Sequence, residues 1–125
     1  EIDETDALIQ VDSDAEAAEK IVALLGTSDP PTAVFAVNDT MAIHLIEALA
    51  ESGKKVPEDI SIVGFDDDPV AAGCQPPLTT VRLGKKDFGA ISARLVLDRL
   101  AEPDKPITHQ ILPTELVIRK SVARV

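Results

Sequence analysis

Residues 60–68 read ISIVGFDDD, an apolar run of the kind that fills a buried strand, which stops at three consecutive carboxylates. A second apolar run, AVFAV at 33–37, ends in the same way at Asn38 and Asp39. In an open α/β sheet, ligands bind outside the carboxyl ends of the strands. The two strand ends therefore place polar side chains where a small molecule or a metal ion could meet them.

The segment between these two strands is predicted to be a helix. Asn38, Asp39 or Thr40 can cap its start, and the helix is expected to run to about Ser52 and to end at Gly53. Its apolar residues recur at i, i+3, i+4 and i+7, the pattern of a helix packed on a sheet: Ala42, Leu45, Ile46 and Leu49. The order strand, helix, strand is a βαβ unit, whose crossover is almost always right-handed.

The other helices and strands are predicted from the same two signals, the spacing of apolar residues and the glycines and prolines that end regular structure. Prolines and a glycine between Pro69 and Pro77 forbid regular helix over most of that stretch. The alternation of strands and helices predicts an α/β fold with a mostly parallel sheet. The remaining predicted elements are a strand at 7–11, a helix that Ser13 and Glu16 begin and Gly26 ends, a strand at 78–83, a helix at 86–101, and short strands at 107–112 and 115–119.

Composition limits the class of protein. The chain has 125 residues, the length of one domain, and a formal net charge of −10. Its basic residues are scattered, which argues against nucleic-acid binding by this segment. Cys74 is the single cysteine, so no internal disulfide can form. Neither a bilayer-spanning run nor a secretory signal is indicated, and since residue 1 is not Met, a fragment or a processed product is one interpretation. These features predict a cytoplasmic domain.

Four blocks of sequence, taken in order, resemble the lactose- and galactose-repressor (LacI/GalR) family. They are AVNDTMA at 36–42, VPEDISIVGFDD at 56–67, PPLTTVR at 76–82 and LPTELVIR at 112–119. The resemblance covers nearly the whole chain and is weakest over its first thirty residues. It implies a bacterial transcriptional regulator that is not an enzyme and carries no cofactor.

The resemblance also implies which part of such a regulator the chain forms. In that family a helix-turn-helix headpiece binds operator DNA, and a two-lobed core, similar to periplasmic sugar-binding proteins, binds a small-molecule effector between its lobes. Residues 1–125 are expected to form the carboxy-terminal lobe, a three-layer αβα unit. The resemblance implies that the headpiece, the hinge and most of the amino-terminal lobe lie outside this sequence, so contact with DNA is expected only through that headpiece.

The helix at 86–101 is expected to be out of place. In the family the matching helix packs on the amino-terminal lobe. Without that lobe, its apolar face of Phe88, Ile91 and Leu95 has no partner, at a cost of about 1.5–3 kcal/mol for each large side chain. We therefore expect this helix either to dock on its own domain or to exchange with a neighbouring chain.

Asn38 and Asp66 are the main candidate effector contacts. The family positions that they match hydrogen-bond effector hydroxyls or polar atoms of a base. A carboxylate can accept from two adjacent hydroxyls, and a carboxamide both donates and accepts. Lys85 is a third candidate. Family members often carry an aromatic or polar residue in the segment that matches 83–85, where this sequence has Leu83, Gly84 and Lys85, and the charge of Lys85 would suit an anionic effector. The alternative for Asn38 is that it only caps the helix.

Other polar residues nearby have structural interpretations. Asp39 is expected to be mainly a helix cap, and Asp67 and Asp68 to shape a turn. His44 is expected to be exposed or at an interface, because His109 lies too far away in sequence for metal-ligand spacing, and no metal site is predicted. The resemblance implies a homodimer with three residues at or near its interface: Met41, Ala48 and Cys74.

Two other functions are compatible with part of the pattern. A periplasmic sugar receptor shares the fold, although the block at 76–82 favours the regulators. A magnesium-dependent phosphoryl-transfer domain could use carboxylates at strand ends, but such chemistry needs a phosphate anchor, and the sequence contains no glycine-rich phosphate-binding loop.

Overall fold

The computed structural model describes residues 9–124, which form a four-stranded sheet. The strands lie in the order β1 (Ala33–Phe35), β2 (Ser61–Asp66), β3 (Thr79–Leu83) and β4 (Thr114–Val117). The first three strands are parallel, and β4 is antiparallel to β3. This arrangement confirms the predicted α/β fold with a mostly parallel open sheet.

Within residues 9–124, four helices accompany the sheet: α1 (Asp14–Leu24), α2 (Asp39–Glu51), α3 (Pro69–Gly73) and α4 (Lys85–Ala101). The Oγ of Ser13 caps α1 by accepting from the Glu16 amide at 3.2 Å, as its spacing predicts. The Glu16 carboxylate accepts in turn from the amide of Asp12 and not from that of Ser13. The chain leaves α2 through Gly53, whose φ of +78° favours glycine over residues with a side chain.

The core lies between α2 and the sheet. Helix α2 packs on β2 with one face and against α1 with another. The four apolar positions predicted for α2 are all buried, and Leu49 meets the same core as Ile62 and Leu78. Burial of one such side chain stabilises the fold by about 1.5–3 kcal/mol. The helical periodicity therefore identified the packed face of α2 correctly.

The opposite face of the sheet is open. By register and alternation Phe35 and Leu116 point to the side away from α2, and their side chains are 62% and 56% exposed. The three-layer prediction needed helices on both faces, but residues 9–124 supply a packed helical layer on one face only. The helix available for the second layer, α4, does not pack there.

Helix α4 has no buried residue, and Phe88 is 59% exposed. The expectation that this helix docks on its own domain is therefore wrong for this structure. Exchange of α4 with a neighbouring chain stays a prediction. Within residues 9–124, no helix combines the length and the apolar character that crossing a membrane requires.

Three local predictions need correction. Residues 9–11 form no strand, and residues 7 and 8 of that predicted strand lie outside the described part. Residues 107–112 form no strand either, and β4 begins only at Thr114, after Pro113, which has no N–H for a sheet. A short helix, α3, occurs where prolines argued against one, because Pro69 occupies the first helical turn, where a missing N–H costs nothing.

Candidate functional site

The carboxyl ends of β1 and β2 lie side by side, as the sequence predicts. Phe35 is paired with Val63, so Asn38 and Asp66 each follow that pair by three residues. The backbone at Asp66 and Asp67 has φ values of 112° and 49°, in the region that favours glycine. Such conformations cost free energy and persist where surrounding contacts hold them, often at functional sites.

Asp67 is held by two arginines. Its Oδ1 is 2.5 Å from the Arg119 guanidinium, and its Oδ2 is 2.6 Å from Nε of Arg82. The hydrogen bond from Arg119 is the main cause that holds the pKa of the Asp67 carboxyl below its ordinary value, with Arg82 adding to it and burial opposing it. The side chain is only 10% exposed. Asp67 is thus structural, as its interpretation as a turn residue predicts.

Asp39 has a different role from the one expected. Asn38 caps α2, and Asp39 is its first helical residue. The Asp39 carboxylate is fully buried; its Oδ1 accepts from the Thr80 hydroxyl at 2.5 Å and its Oδ2 from the Asp68 amide at 2.8 Å. The interpretation of Asp39 as mainly a cap is therefore wrong, because its side chain turns inward to the sheet and to the turn that follows β2.

The side chain of Asn38 is half-buried and combines two possible uses. Its Oδ1 accepts from the Met41 amide at 2.8 Å, so Asn38 caps helix α2. Its amide nitrogen donates to no other described residue. Contact between this nitrogen and a ligand stays a prediction that is compatible with the cap.

Asp66 and Lys85 lie close together at the strand tip. Nζ of Lys85 donates to Asp68 at 2.5 Å, and this hydrogen bond is the main cause that raises the pKa of the lysine. The same Nζ is 4.0 Å from Asp66, beyond hydrogen-bonding distance. Asp68 therefore offsets part of the charge of Lys85, and contact between Lys85 and an effector stays a prediction. Asp66 accepts no hydrogen bond from residues 9–124.

His44 and Cys74 show no sign of reactive chemistry. Nδ1 of His44 is 2.6 Å from Oδ2 of Asp14, and the ring is half exposed at the groove between α1 and α2. Burial raises the pKa of the Cys74 thiol, which donates to the carbonyl oxygens of Ala71 and Pro76. In the described part of the chain no three His, Cys, Asp or Glu side chains are grouped to hold a metal ion.

Sequence reasoning missed Thr80 and Arg119. In the sequence, Thr80 is an ordinary β-branched residue of a strand. In the structure it is fully buried, and its hydroxyl donates a hydrogen bond to Asp39. Arg119 lies near the end of the chain, yet it reaches back to Asp67 and to the carbonyl of Leu78. The only signal for Thr80 in the sequence was its place in a predicted strand, because a threonine that becomes buried in a strand needs a hydrogen-bond partner.

The arrangement is suited to binding polar, uncharged groups. Asp66 offers two acceptor oxygens. Asn38 offers an N–H donor and lies as far beyond the end of β1 as Asp66 lies along β2 from the same pair of residues. The other charged groups at this edge form close ion pairs, Asp67 with Arg82 and Arg119 and Asp68 with Lys85, and Nζ of Lys85 is also 4.0 Å from Asp66.

Known proteins with this fold were compared with the chain. The periplasmic binding protein-like domain matches residues 2–122. The chain is 45% identical over 103 residues to the HTH-type transcriptional repressor PurR of Mannheimia succiniciproducens, which covers 82% of this chain and 30% of that repressor. The chain thus spans about a third of the length of the curated relatives that it matches.

Solved structures agree with this match. A LacI family transcriptional regulator from Enterococcus faecalis V583, with bound ribose, is 36% identical, with a TM-score of 0.79 over 93% of this chain and 43% of that one. The transcriptional regulator CelR in complex with cellobiose is 33% identical, with a TM-score of 0.81 over 97% of this chain and 37% of that one. The chain belongs to the family of periplasmic binding protein-like domains and, within it, to the LacI-type transcriptional regulators, whose carboxy-terminal portion it matches.

Proposed function

We propose that this chain supplies one wall of a sugar-binding cleft in a LacI-type repressor. Asp66 and Asn38 contact hydroxyl groups of the effector, and the region of the regulator outside this chain supplies the other wall. Effector binding favours one arrangement of a homodimer and so changes the affinity of a separate headpiece for operator DNA in the cytoplasm. The role of the chain is binding and not catalysis.

The observation that carries this proposal is the state of Asp66. Its carboxylate lies at the tip of a strand, on a constrained backbone, without a hydrogen bond from the described residues, while the carboxylates beside it are engaged. A carboxylate whose oxygens accept no hydrogen bond from the described residues can accept from two neighbouring hydroxyls of a sugar. The pairing of Lys85 with Asp68 lends little support to a phosphorylated effector. The similar regulators with bound ribose and cellobiose support a sugar.

Replacing Asp66 by alanine tests the site. Because hydrogen bonds to a charged group contribute about 1.5–3 kcal/mol, we expect Asp66→Ala to weaken binding of the sugar by about 10- to 100-fold. The measurement is isothermal titration of the full-length regulator with ribose and with cellobiose.

The matched control is Asp29→Ala, which removes the same charge from the loop before β1, at the opposite edge of the sheet. This variant should bind as the unmodified protein does. Equal affinity of the Asp66→Ala protein for the bound sugar would remove Asp66 from the site, and failure of the unmodified regulator to bind any sugar would overturn the proposed effector class.

The dimer is the second part of the proposal. Met41 and Ala48 are two turns apart on α2 and thus share a face, and with Cys74 they are only partly buried against the core. We expect Ala48→Glu to weaken dimerisation at least about tenfold, because a carboxylate would lose its hydration in an apolar contact.

Sedimentation equilibrium of the full-length protein measures this change. Ala50→Glu, on the exposed side of α2, is the control, and an unchanged dimer in the Ala48→Glu protein would exclude this face.

A further inference from the structure

We infer that Asp39 is the positioning residue of this site: its buried carboxylate fixes the two effector-contacting residues relative to each other. The inference rests on the proposed function for the identity of those residues. Asp39 itself is fully buried, so its side chain is not placed to contact an effector directly. It acts through Asn38, its neighbour in sequence, and through the turn that carries Asp66.

The contacts of Asp39 join elements that are far apart in sequence. The residue opens α2, directly after Asn38. Its Oδ2 accepts from the amide of Asp68, 29 residues later, and its Oδ1 accepts from the Thr80 hydroxyl on β3, 41 residues later. One side chain thus connects the end of β1 to the end of β2 and to the neighbouring strand.

Thr80 extends this connection to a second amide of the same turn. Its Oγ1 donates to Asp39 and accepts a long hydrogen bond, 3.4 Å, from the amide of Asp67. The amides of two consecutive turn residues therefore depend on the buried pair of Asp39 and Thr80. The preceding residue, Asp66, has a φ of 112°, a conformation that surrounding contacts must maintain.

The space for the carboxylate is provided by Gly64. A Cβ built at this glycine would lie 2.3 Å from Oδ1 of Asp39 and 2.9 Å from a methyl group of Leu78. A side chain at position 64 and the inward orientation of Asp39 are therefore mutually exclusive. The fold reserves this volume in the middle of β2 for a polar group, although an apolar side chain there would add to the core. Such a reserved volume fits a positioning role.

Amide hydrogen exchange measured by NMR tests the connection without any effector. In the Asp39→Asn protein, whose amide group cannot accept at both positions, we expect the Asp68 amide to exchange at least about tenfold faster relative to the Ala36 amide. Ala36 donates to Val63 at the same edge of the sheet, so it reports general loss of stability. Thr80→Val should accelerate exchange at Asp67, and Thr80→Ser, which keeps the hydroxyl, should restore the slow rate.

The matched control is Ser121→Ala. Ser121 is also fully buried, and its hydroxyl makes two hydrogen bonds, to the amide of Thr79 and to the carbonyl of Ile62, at the amino ends of the strands. Its removal should destabilise the whole domain and leave the ratio of the Asp68 and Ala36 rates unchanged. Loss of stability and loss of positioning are thus measured separately.

Titration with ribose and cellobiose then relates the connection to binding. If the unmodified full-length regulator binds either sugar, Asp39→Asn should weaken that binding at least about tenfold, while Ser121→Ala should change it less than about twofold. Faster exchange at Asp68 with unchanged sugar affinity would overturn the positioning role. An unchanged exchange ratio in Asp39→Asn would also overturn it, whatever the sugar result. If no sugar binds, the proposed function fails, and the exchange ratio alone decides the inference.

Discussion

Replacing Gly64 by alanine is expected to lower the free energy of unfolding by about 3 kcal/mol, the upper end of the usual cost of overpacking a core. The new Cβ would lie 2.3 Å from Oδ1 of Asp39 and 3.4 Å from its Cα. The distance to Cα is at the limit of ordinary van der Waals contact, whereas the contact with Oδ1 is too short and requires the carboxylate to move. Relief by rotation of Asp39 would leave the Thr80 hydroxyl without its acceptor.

Urea denaturation of the unmodified and Gly64→Ala proteins measures this change. Gly73→Ala is the control, since Gly73 lies at the exposed end of α3 and a Cβ there meets no atom within 4 Å. The control should unfold within about 0.5 kcal/mol of the unmodified protein. A Gly64→Ala protein as stable as the control would mean that the β2–α2 spacing is looser than the structure has it.

Replacing Asp67 by asparagine is expected to cost a similar amount at neutral pH, about 3 kcal/mol. The Arg119 guanidinium is only 17% exposed, and without the carboxylate it would keep its charge in a place with little access to water. Asparagine preserves the size of the side chain and tolerates the positive φ of this position. The loss therefore reports the charge and not the backbone. Urea denaturation at pH 7, with Asp29→Asn as the control, measures it.

The ion pair of Asp67 with Arg119 also predicts how the stability difference between the unmodified and Asp67→Asn proteins depends on pH. Since the folded-state pKa of Asp67 lies below its unfolded value of about 3.9, its ionisation stabilises the fold fully above that pH. The contribution is lost as the pH falls through the folded-state pKa. The stability difference between the unmodified and Asp67→Asn proteins should thus be constant from pH 7 to about 5 and shrink below about pH 4. A difference that stays constant down to pH 3 would contradict this assignment.

The sequence located the edge of the sheet that carries the site because apolar runs that stop at polar residues mark strand ends. It could not assign roles within the pair Asn38 and Asp39. Both residues cap helices well, and the choice depends on which side chain finds partners inside the fold. The partners of Asp39 are Thr80 and the Asp68 amide, and Gly64 provides the room. No local pattern reveals three such distant positions.

The interpretation of Lys85 shows a second limit. Alone in the sequence it is an unpaired cation, and from this an anionic effector seemed reasonable. In the structure its charge is compensated by Asp68, seventeen residues earlier. The helix at 85–101 was predicted within one residue from its periodicity, but none of its residues is buried. Periodicity reports which face of a helix is apolar and not what covers it.

The uncovered helix α4 has a consequence for local stability. Helix α4 has 17 residues, only slightly more than the roughly 12–15 below which isolated helices are marginal in water, and most helical stability in proteins comes from packing. With no buried residue, α4 gains little from the rest of the domain. It can therefore unfold locally while the sheet and α2 stay intact. We therefore expect the helicity of α4 to increase when another surface covers its apolar face.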